Sequence, residues 1–460
     1  MITHDAFNAW LETLAYKDLF VGFTVAVFLF HKLLDLRQLR VLRRPNAPPE
    51  LAHAFKDPDL YRKTQAYSID KWWFGLAHSL FSLVETLTLI MLNAYPGFWA
   101  LAGDVVARMV AQAGSLAGWL GLVGSDAASV ALRTELAQSV VFMLLFSALS
   151  LATGLPWSVY STFVLEARHG FNKTSAATFV TDTVKSVILG LVLLPPLVAG
   201  MTYILLVAGP YMPLYLFLFV LAVSLFFMTI YPTLIQPLFN KFEPLPEGPL
   251  RDAIEGLAST LHFPLTKLYT MDGSRRSAHS NAYMYGFFKN KRIVLFDTLV
   301  AQCSKEEVVA VLAHELGHWK LRHTPVNFVA GMGLTAAQFC LLALVRSCAA
   351  LYESFGFAPG VRPALVALVL FQLMVAPLDE VINFGLHVLS RTFEFQADGF
   401  AVKLGHGGKL KDALLRLEEE NKGAMHVDPW YSAYHYSHPP LVERLNAIDK
   451  AVSAGAKKAL

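Results

Sequence analysis

Charge is scarce in this chain. Only 16% of its 460 residues are Asp, Glu, Lys or Arg, against about 25% in ordinary soluble domains. The net charge of +3 and the pI near 8.6 are too mild for a nucleic-acid partner, and no Lys/Arg run is interleaved with exposed aromatics. Cysteine is nearly absent: Cys303, Cys340 and Cys348 lack zinc-ribbon spacing and read as buried thiols. No internal repeat is present, and Gly405-His406-Gly407-Gly408-Lys409 lacks the spacing of a phosphate loop and reads as a turn. The first residues lack a basic stretch followed by a short apolar core and a small-residue cleavage site, so the first apolar segment is expected to stay attached.

What is abundant is apolar. Hydrophobic residues make up 55% of the chain and the mean hydropathy is +0.45, values of a membrane protein rather than of two or three soluble domains. Seven stretches reach the about 20 residues that cross a bilayer: approximately Leu14 to Leu34, Trp72 to Tyr95, Leu136 to Trp157, Val184 to Val207, Leu214 to Ile235, Val326 to Val345 and Ala364 to Leu389. The Ala/Gly-rich stretch from Phe98 to Val123 reads as a polar-faced helix outside the membrane or as an eighth span, with the former favoured. Basic residues crowd the loop after the first span, from Lys32 to Lys71, whereas Phe98 to Thr134 offers only Arg108 and Arg133. The first loop is therefore expected in the cytoplasm, with the N-terminus outside and Asn240 to Thr324 and Arg391 to Leu460 both cytoplasmic. Pro195-Pro196 and Pro377 are expected to break span patterns. His78, Glu85, Asp379 and Glu380 sit at nominal membrane depth, where they either pair with one another or face a polar cavity.

The expected organisation is residues 1–239 as about five spans with their loops, 240–324 as a cytoplasmic segment, 325–390 as two further spans and 391–460 as a second cytoplasmic segment. The fold class is an all-α polytopic membrane protein with a small cytoplasmic α+β unit. Within 240–324, Pro244, Pro246 and Pro249 read as a linker, Leu250 to Leu261 as an amphipathic helix, and Leu268 to Met271 and Arg292 to Phe296 as short strands. Asn281 to Phe287 alternates in the manner of a strand, either an ordinary paired one or an edge to which a peptide backbone adds.

The chemistry is concentrated in His314-Glu315-Leu316-Gly317-His318. A helix puts His314 and His318 one turn apart on one face, where two imidazoles bind one Zn²⁺, while Glu315 on the adjoining edge can take a proton from an activated water. HExxH also occurs by chance, so its surroundings decide. Ser304-Lys305-Glu306-Glu307 reads as a capping box, and Val308, Val309, Val311, Leu312 and Leu316 supply buried faces. Lys320, Arg322 and His323 stand where cations suit a helix C-terminus, and Pro325 marks a stop or a kink.

A catalytic zinc needs a third protein ligand. The best candidate is Glu394 in Phe393-Glu394-Phe395-Gln396-Ala397-Asp398, just past a span, with Asp398 on the same helix face placed to accept the free N–H of a ligating histidine. Asp398 could equally be a surface carboxylate. In Tyr434-His435-Tyr436-Ser437-His438-Pro439-Pro440, His438 is either a donor to a developing oxyanion or a solvated neighbour of a helix start.

With these residues in view, the chain resembles the type I CAAX prenyl proteases, membrane-embedded zinc metalloproteases. The resemblance runs nearly end to end through Ser280-Asn281-Ala282-Tyr283, Arg292 to Leu299, His314 to Trp319, Phe393 to Phe400 and Ser437 to Leu445. It implies one Zn²⁺ per chain held by His314, His318 and Glu394, with Glu315 activating water. It further implies that Asn281 touches the substrate backbone, that His438 stabilises the reacting centre, and that Asp398 and Arg444 support it. Seven helices around a polar chamber would follow, as would removal of a C-terminal tripeptide from prenylated CAAX proteins. The Ala- and Leu-rich composition is similar to that of bacterial members and favours a bacterial inner membrane, whereas Lys457-Lys458-Ala459-Leu460 fits a dilysine retrieval signal of the endoplasmic reticulum. The expected partners are peptide or protein C-termini, prenylated or not, and the bilayer; oligomeric state is not legible.

Three rivals stand beside this reading. A membrane quality-control zinc protease would share the ligand pattern and act on unmodified peptides. A transporter or lipid-binding chamber with structural zinc would close the metal with four protein ligands. A site-2 type intramembrane protease is disfavoured because Lys305, Glu306, Glu307, Lys320 and Arg322 flank the motif.

Overall fold

The computed structural model describes residues 4–51, 54, 55, 57, 59–113, 126–286 and 289–459. Its helices are set by long apolar runs with local stops. In chain order, helices α1 (Tyr16–Leu42), α2 (Leu60–Met91), α3 (Ala94–Ala113), α4 (Ala127–Tyr160), α5 (Ala176–Val207) and α6 (Met212–Ile230) form the first half. Asp126 caps α4 through the Ala128 N–H at 3.2 Å, and Ser175 caps α5 through the Thr178 N–H at 3.1 Å. Short π-helical segments, Ser161–Glu166 and Tyr231–Ile235, extend α4 and α6. The second half carries strand β1 (Phe242–Pro244), helix α7 (Pro249–Leu261), strands β2 (Leu265–Met271), β3 (Ala282–Tyr285) and β4 (Lys291–Phe296), and helices α8 (Lys305–Lys320), α9 (His323–Val345), α10 (Ala364–Lys403), α11 (Gly407–Asn421), α12 (Pro429–His435) and α13 (Leu441–Ala459).

Among the described residues, seven helical segments are long and apolar enough to span a bilayer, those of α1, α2, α4, α5, α6, α9 and α10. Large apolar side chains on them stand open, including Val84 at 61%, Val192 at 62% and Val329 at 70% exposure. Lipid supplies the apolar surroundings that the protein does not. The spans are longer than hydropathy alone marks, and Pro195, Pro196 and Pro377 lie inside unbroken helices, because neighbouring helices and local adjustment accommodate the freed carbonyls of a membrane helix. Pro325 falls in the first turn of α9, where its missing N–H costs nothing. Of Phe98 to Val123, α3 is not among the seven apolar spans and packs Ala102 and Val106 inward; residues 114–125 lie outside the described residues.

The α+β unit is built on a four-stranded sheet in the order β1-β2-β4-β3, with β2 and β4 parallel and the outer strands antiparallel to their neighbours. Pro244 belongs to edge strand β1 rather than to a linker, a place where a missing N–H is tolerated. The other edge is β3, shorter than the alternating pattern that suggested it; Phe287 lies outside the described residues. One core unites Ile254 and Leu257 of α7, Ile293 and Leu295 of β4, Val308, Leu312 and Leu316 of α8, Ala401 of α10, Leu410 of α11 and Ile448 of α13. The helix bearing HExxH is thereby clamped between the sheet and the end of the seventh span.

The end of α1 and the start of α2 meet the C-terminal segment, and the loop after the third span meets the sheet unit. Arg37 pairs with Asp428 at 3.0 Å, the Tyr61 and His426 rings touch at 5.9 Å, and Asn172 bridges Ser277. Two of the charged groups at membrane depth find partners: Asp379 accepts from Gln338 at 2.8 Å, and Glu380 accepts from the Tyr434 hydroxyl and lies 3.4 Å from His31, whereas Glu85 forms no hydrogen bond or ion pair with a described residue.

Candidate metal centre

Helix α8 begins where the sequence places its cap: the Ser304 hydroxyl accepts from the Glu307 N–H at 3.3 Å, and the Glu307 carboxylate accepts from the Ser304 N–H at 2.7 Å. The apolar face then turns His314 and His318 toward α10. Gly317 makes the approach possible. A Cβ there would lie 3.2 Å from Ala397 Cα and 3.2 Å from Phe400 Cβ, so the two helices touch backbone to backbone beside the histidines. Gly317→Ala forces them apart by a few tenths of an ångström, and a roughly tenfold loss in kcat/KM is expected, since misplacement by about 1 Å can cost 10²-fold. Peptide cleavage by the purified variant checks this, and unchanged kinetics would show that the contact does not set the site.

The resulting cluster is tight. His314 Nε2 lies 3.1 Å from His318 Nε2 and 3.5 Å from Glu394 Oε2, and His318 Nε2 lies 3.3 Å from Glu394 Oε1. A tetrahedral cation with bonds of about 2.0–2.2 Å separates its ligands by about 3.3–3.6 Å, so the three groups stand at the corners such an ion requires. The site also contains polar atoms that need one. Glu394 is 4% exposed, and its Oε2 is buried without a well-formed hydrogen bond despite lying 3.0 Å from His438 Nδ1. Two ring nitrogens aimed at each other and at a buried carboxylate fit a shared cation.

The outward nitrogens are held as well. His314 Nδ1 lies 2.8 Å from Asp398 Oδ1, and Arg444 grips Asp398 through Nε at 2.9 Å and Nη2 at 2.6 Å. Asp398 is 1% exposed, so Arg444 compensates a carboxylate that burial would otherwise make costly. Burial alone would push the His314 imidazole down, but the hydrogen bonds to Asp398 and Glu394 outweigh it and raise it to about 9. A divalent cation entering the site therefore displaces a proton there.

Glu315 is beside the cluster and bound to none of it: no hydrogen bond or ion pair joins its side chain to a described residue. Burial pushes its carboxyl above the usual range, with the neighbouring histidines opposing. His438, 65% exposed in its side chain, stands over Glu394 from the loop before α13. Asn281 does not join this cluster. It precedes β3 and borders an adjoining cavity of about 1220 Å³, lined also by Tyr283, Tyr285, Met228, Phe328 and Trp319, the last one residue past His318.

His323 and Gln396 escaped the sequence reading. His323, taken above as a cation at a helix end, is 3% exposed and contacts His318 Nδ1 at 2.9 Å and Gln396 at 2.9 Å. The only available signal was the Arg322-His323-Thr324-Pro325 sequence, where a proline soon after a helix end implies a sharp change of direction.

Known proteins resemble this chain along nearly its whole length. Residues 38–241 match the family model of the CAAX prenyl protease N-terminal region with five membrane helices, and residues 244–452 match peptidase family M48. The chain is 48% identical over 435 residues to a CAAX prenyl protease 1 homolog of Arabidopsis thaliana, covering 94% of this chain and 97% of that one. It is 40% identical to a homolog of the same name from Homo sapiens, covering 93% and 94% of the two. The crystal structure of S. mikatae Ste24p superposes with a TM-score of 0.85 at 36% identity, covering 95% of this chain and 99% of that one. With relatives this similar across nearly its whole length, the chain belongs to the CAAX prenyl protease group of peptidase family M48 and is a membrane-embedded metallopeptidase.

Proposed function

We propose that the chain is a zinc-dependent endopeptidase that cuts near the C-termini of prenylated proteins, with His314, His318 and Glu394 as the metal ligands. Two imidazoles and a carboxylate, with no thiolate, are the donor set of a catalytic rather than a structural zinc site. Zinc held there supplies Lewis-acid polarisation of the scissile carbonyl and of a water. Glu315 takes the proton of the attacking water on its free carboxylate and returns it to the nitrogen of the leaving amine. His438 donates to the oxygen on which charge develops. Asp398, backed by Arg444, holds His314 in the tautomer that presents Nε2 to the metal.

The observation that carries the substrate reading is the apolar cavity beside the histidines. Edge strand β3 with Asn281 forms one wall, where an extended peptide backbone can add as a further strand. Met228, Phe328 and Trp319 offer apolar surface to a long isoprenoid tail, and Lys291, Lys320 and Arg322 line the same cavity with positive charge. The basic loop after α1 and the parity of seven spans support placing the sheet unit and the C-terminal segment in the cytoplasm, where such C-termini occur.

Matched farnesylated and unmodified C-terminal peptides, incubated with zinc-loaded protein and read by mass, test the proposal. Faster cutting of the farnesylated peptide is expected, with release of the terminal tripeptide. Equal cutting of both would remove the prenyl requirement and favour a quality-control role.

A further inference from the structure

His323 stands in contact with His318 and with Gln396, apart from the pairing of His314 with Asp398 and Arg444. Arg322 adopts left-handed backbone, with φ 61° and ψ 31°, between α8 and α9. A non-glycine residue there carries local strain, and the turn it makes folds His323 back beneath His318. The His323 ring then stacks flat on Phe393 of α10, with centroids 4.1 Å apart and planes within 4°. Its Nδ1 lies 2.9 Å from His318 Nδ1 and its Nε2 lies 2.9 Å from Gln396 Oε1.

A row of two neutral imidazoles and an amide admits two proton orders. In one, Gln396 Oε1 accepts from His323 Nε2–H, His323 Nδ1 accepts from His318 Nδ1–H, and His318 Nε2 keeps its lone pair facing His314 and Glu394. In the other, the amide is rotated, His323 Nδ1–H donates to His318 Nδ1, and His318 Nε2 carries a hydrogen and cannot ligate. Only the first order serves a metal. The Gln396 carboxamide lies 2.9 Å from His323 Nε2, where its oxygen can accept in that order.

We propose that His323 and Gln396 are positioning residues, a neutral relay that fixes His318 as the tautomer ligating through Nε2. This rests on the assignment of His318 as a zinc ligand made above. The two ligating histidines are then held differently: His314 by a buried ion pair, and His318 by uncharged groups that touch α10 on either side of Glu394.

The test uses full-length protein in detergent and measures Zn²⁺ affinity by competition with a chelator, alongside the absorption spectrum of the Co²⁺-loaded form. His323→Phe keeps the ring stacked on Phe393 but removes both nitrogens. Its Zn²⁺ Kd is expected to rise by about 10–100-fold, the usual effect of losing such an outer partner, with a changed Co²⁺ spectrum and an unaltered thermal midpoint after chelator treatment. Gln396→Leu should weaken binding in the same way. Gln396→Glu, which can only accept, should bind within threefold of the parent or more tightly. A packing role alone predicts the parent's affinity in His323→Phe; that result, or equal affinities of Gln396→Leu and Gln396→Glu, overturns the relay. Should His323→Phe fail to fold, the two Gln396 variants still decide. If the unsubstituted chain fails to bind Zn²⁺, it is the metal assignment itself that falls.

Discussion

Replacing Glu315 by glutamine is expected to leave the metal bound and to lower kcat by about 10²–10⁴-fold, the range of a positioned general base. The amide matches the carboxylate in size, and the native side chain forms no hydrogen bond or ion pair with a described residue. The substitution therefore removes only the capacity to accept and return a proton. His314, His318 and Glu394 keep their partners, so metal content should equal that of the parent. Metal analysis of the purified variant together with mass-resolved peptide cleavage separates the two effects. Full activity in Glu315→Gln would defeat the assigned role, and loss of metal would make Glu315 structural.

His314→Ala is expected to abolish both. If a zinc site is worth about 10–16 kcal/mol and its three protein ligands share that comparably, one imidazole carries roughly 3–5 kcal/mol, or about a 10²–10⁴-fold rise in Kd. The substitution also strips Asp398 of its histidine, leaving a carboxylate that is 1% exposed with Arg444 as its remaining partner. Metal per chain after dialysis against chelator should fall to background, and turnover with it. Retention of a full equivalent would place the metal elsewhere.

What the sequence made legible was local. The cap at Ser304, the one-turn spacing of His314 and His318, and the long apolar runs each follow from a few neighbouring residues obeying one period or one capping rule. The grouping of Glu394 with the two histidines was within reach because a zinc site would need a third donor and this carboxylate sits on a helix face just past a span. Which histidine Asp398 would hold was not, since that depends on the contact of Gly317 with Ala397 and Phe400 across two helices. His323 was missed for a backbone reason: its place under His318 follows from left-handed φ at Arg322, a conformation that side-chain propensity does not favour. Strand β1 was missed because three residues ending in proline carry no alternation, and the internal prolines of α5 and α10 misled because the rule that they end helices belongs to water.

X-ray absorption at the zinc edge on the purified full-length protein probes the metal site itself. One zinc per chain is expected, four-coordinate, with imidazole scattering from two histidines at about 2.0–2.1 Å and oxygen ligands completing the shell. Absence of zinc, sulfur in the shell, or a spectrum unchanged in His318→Ala would contradict that ligand set.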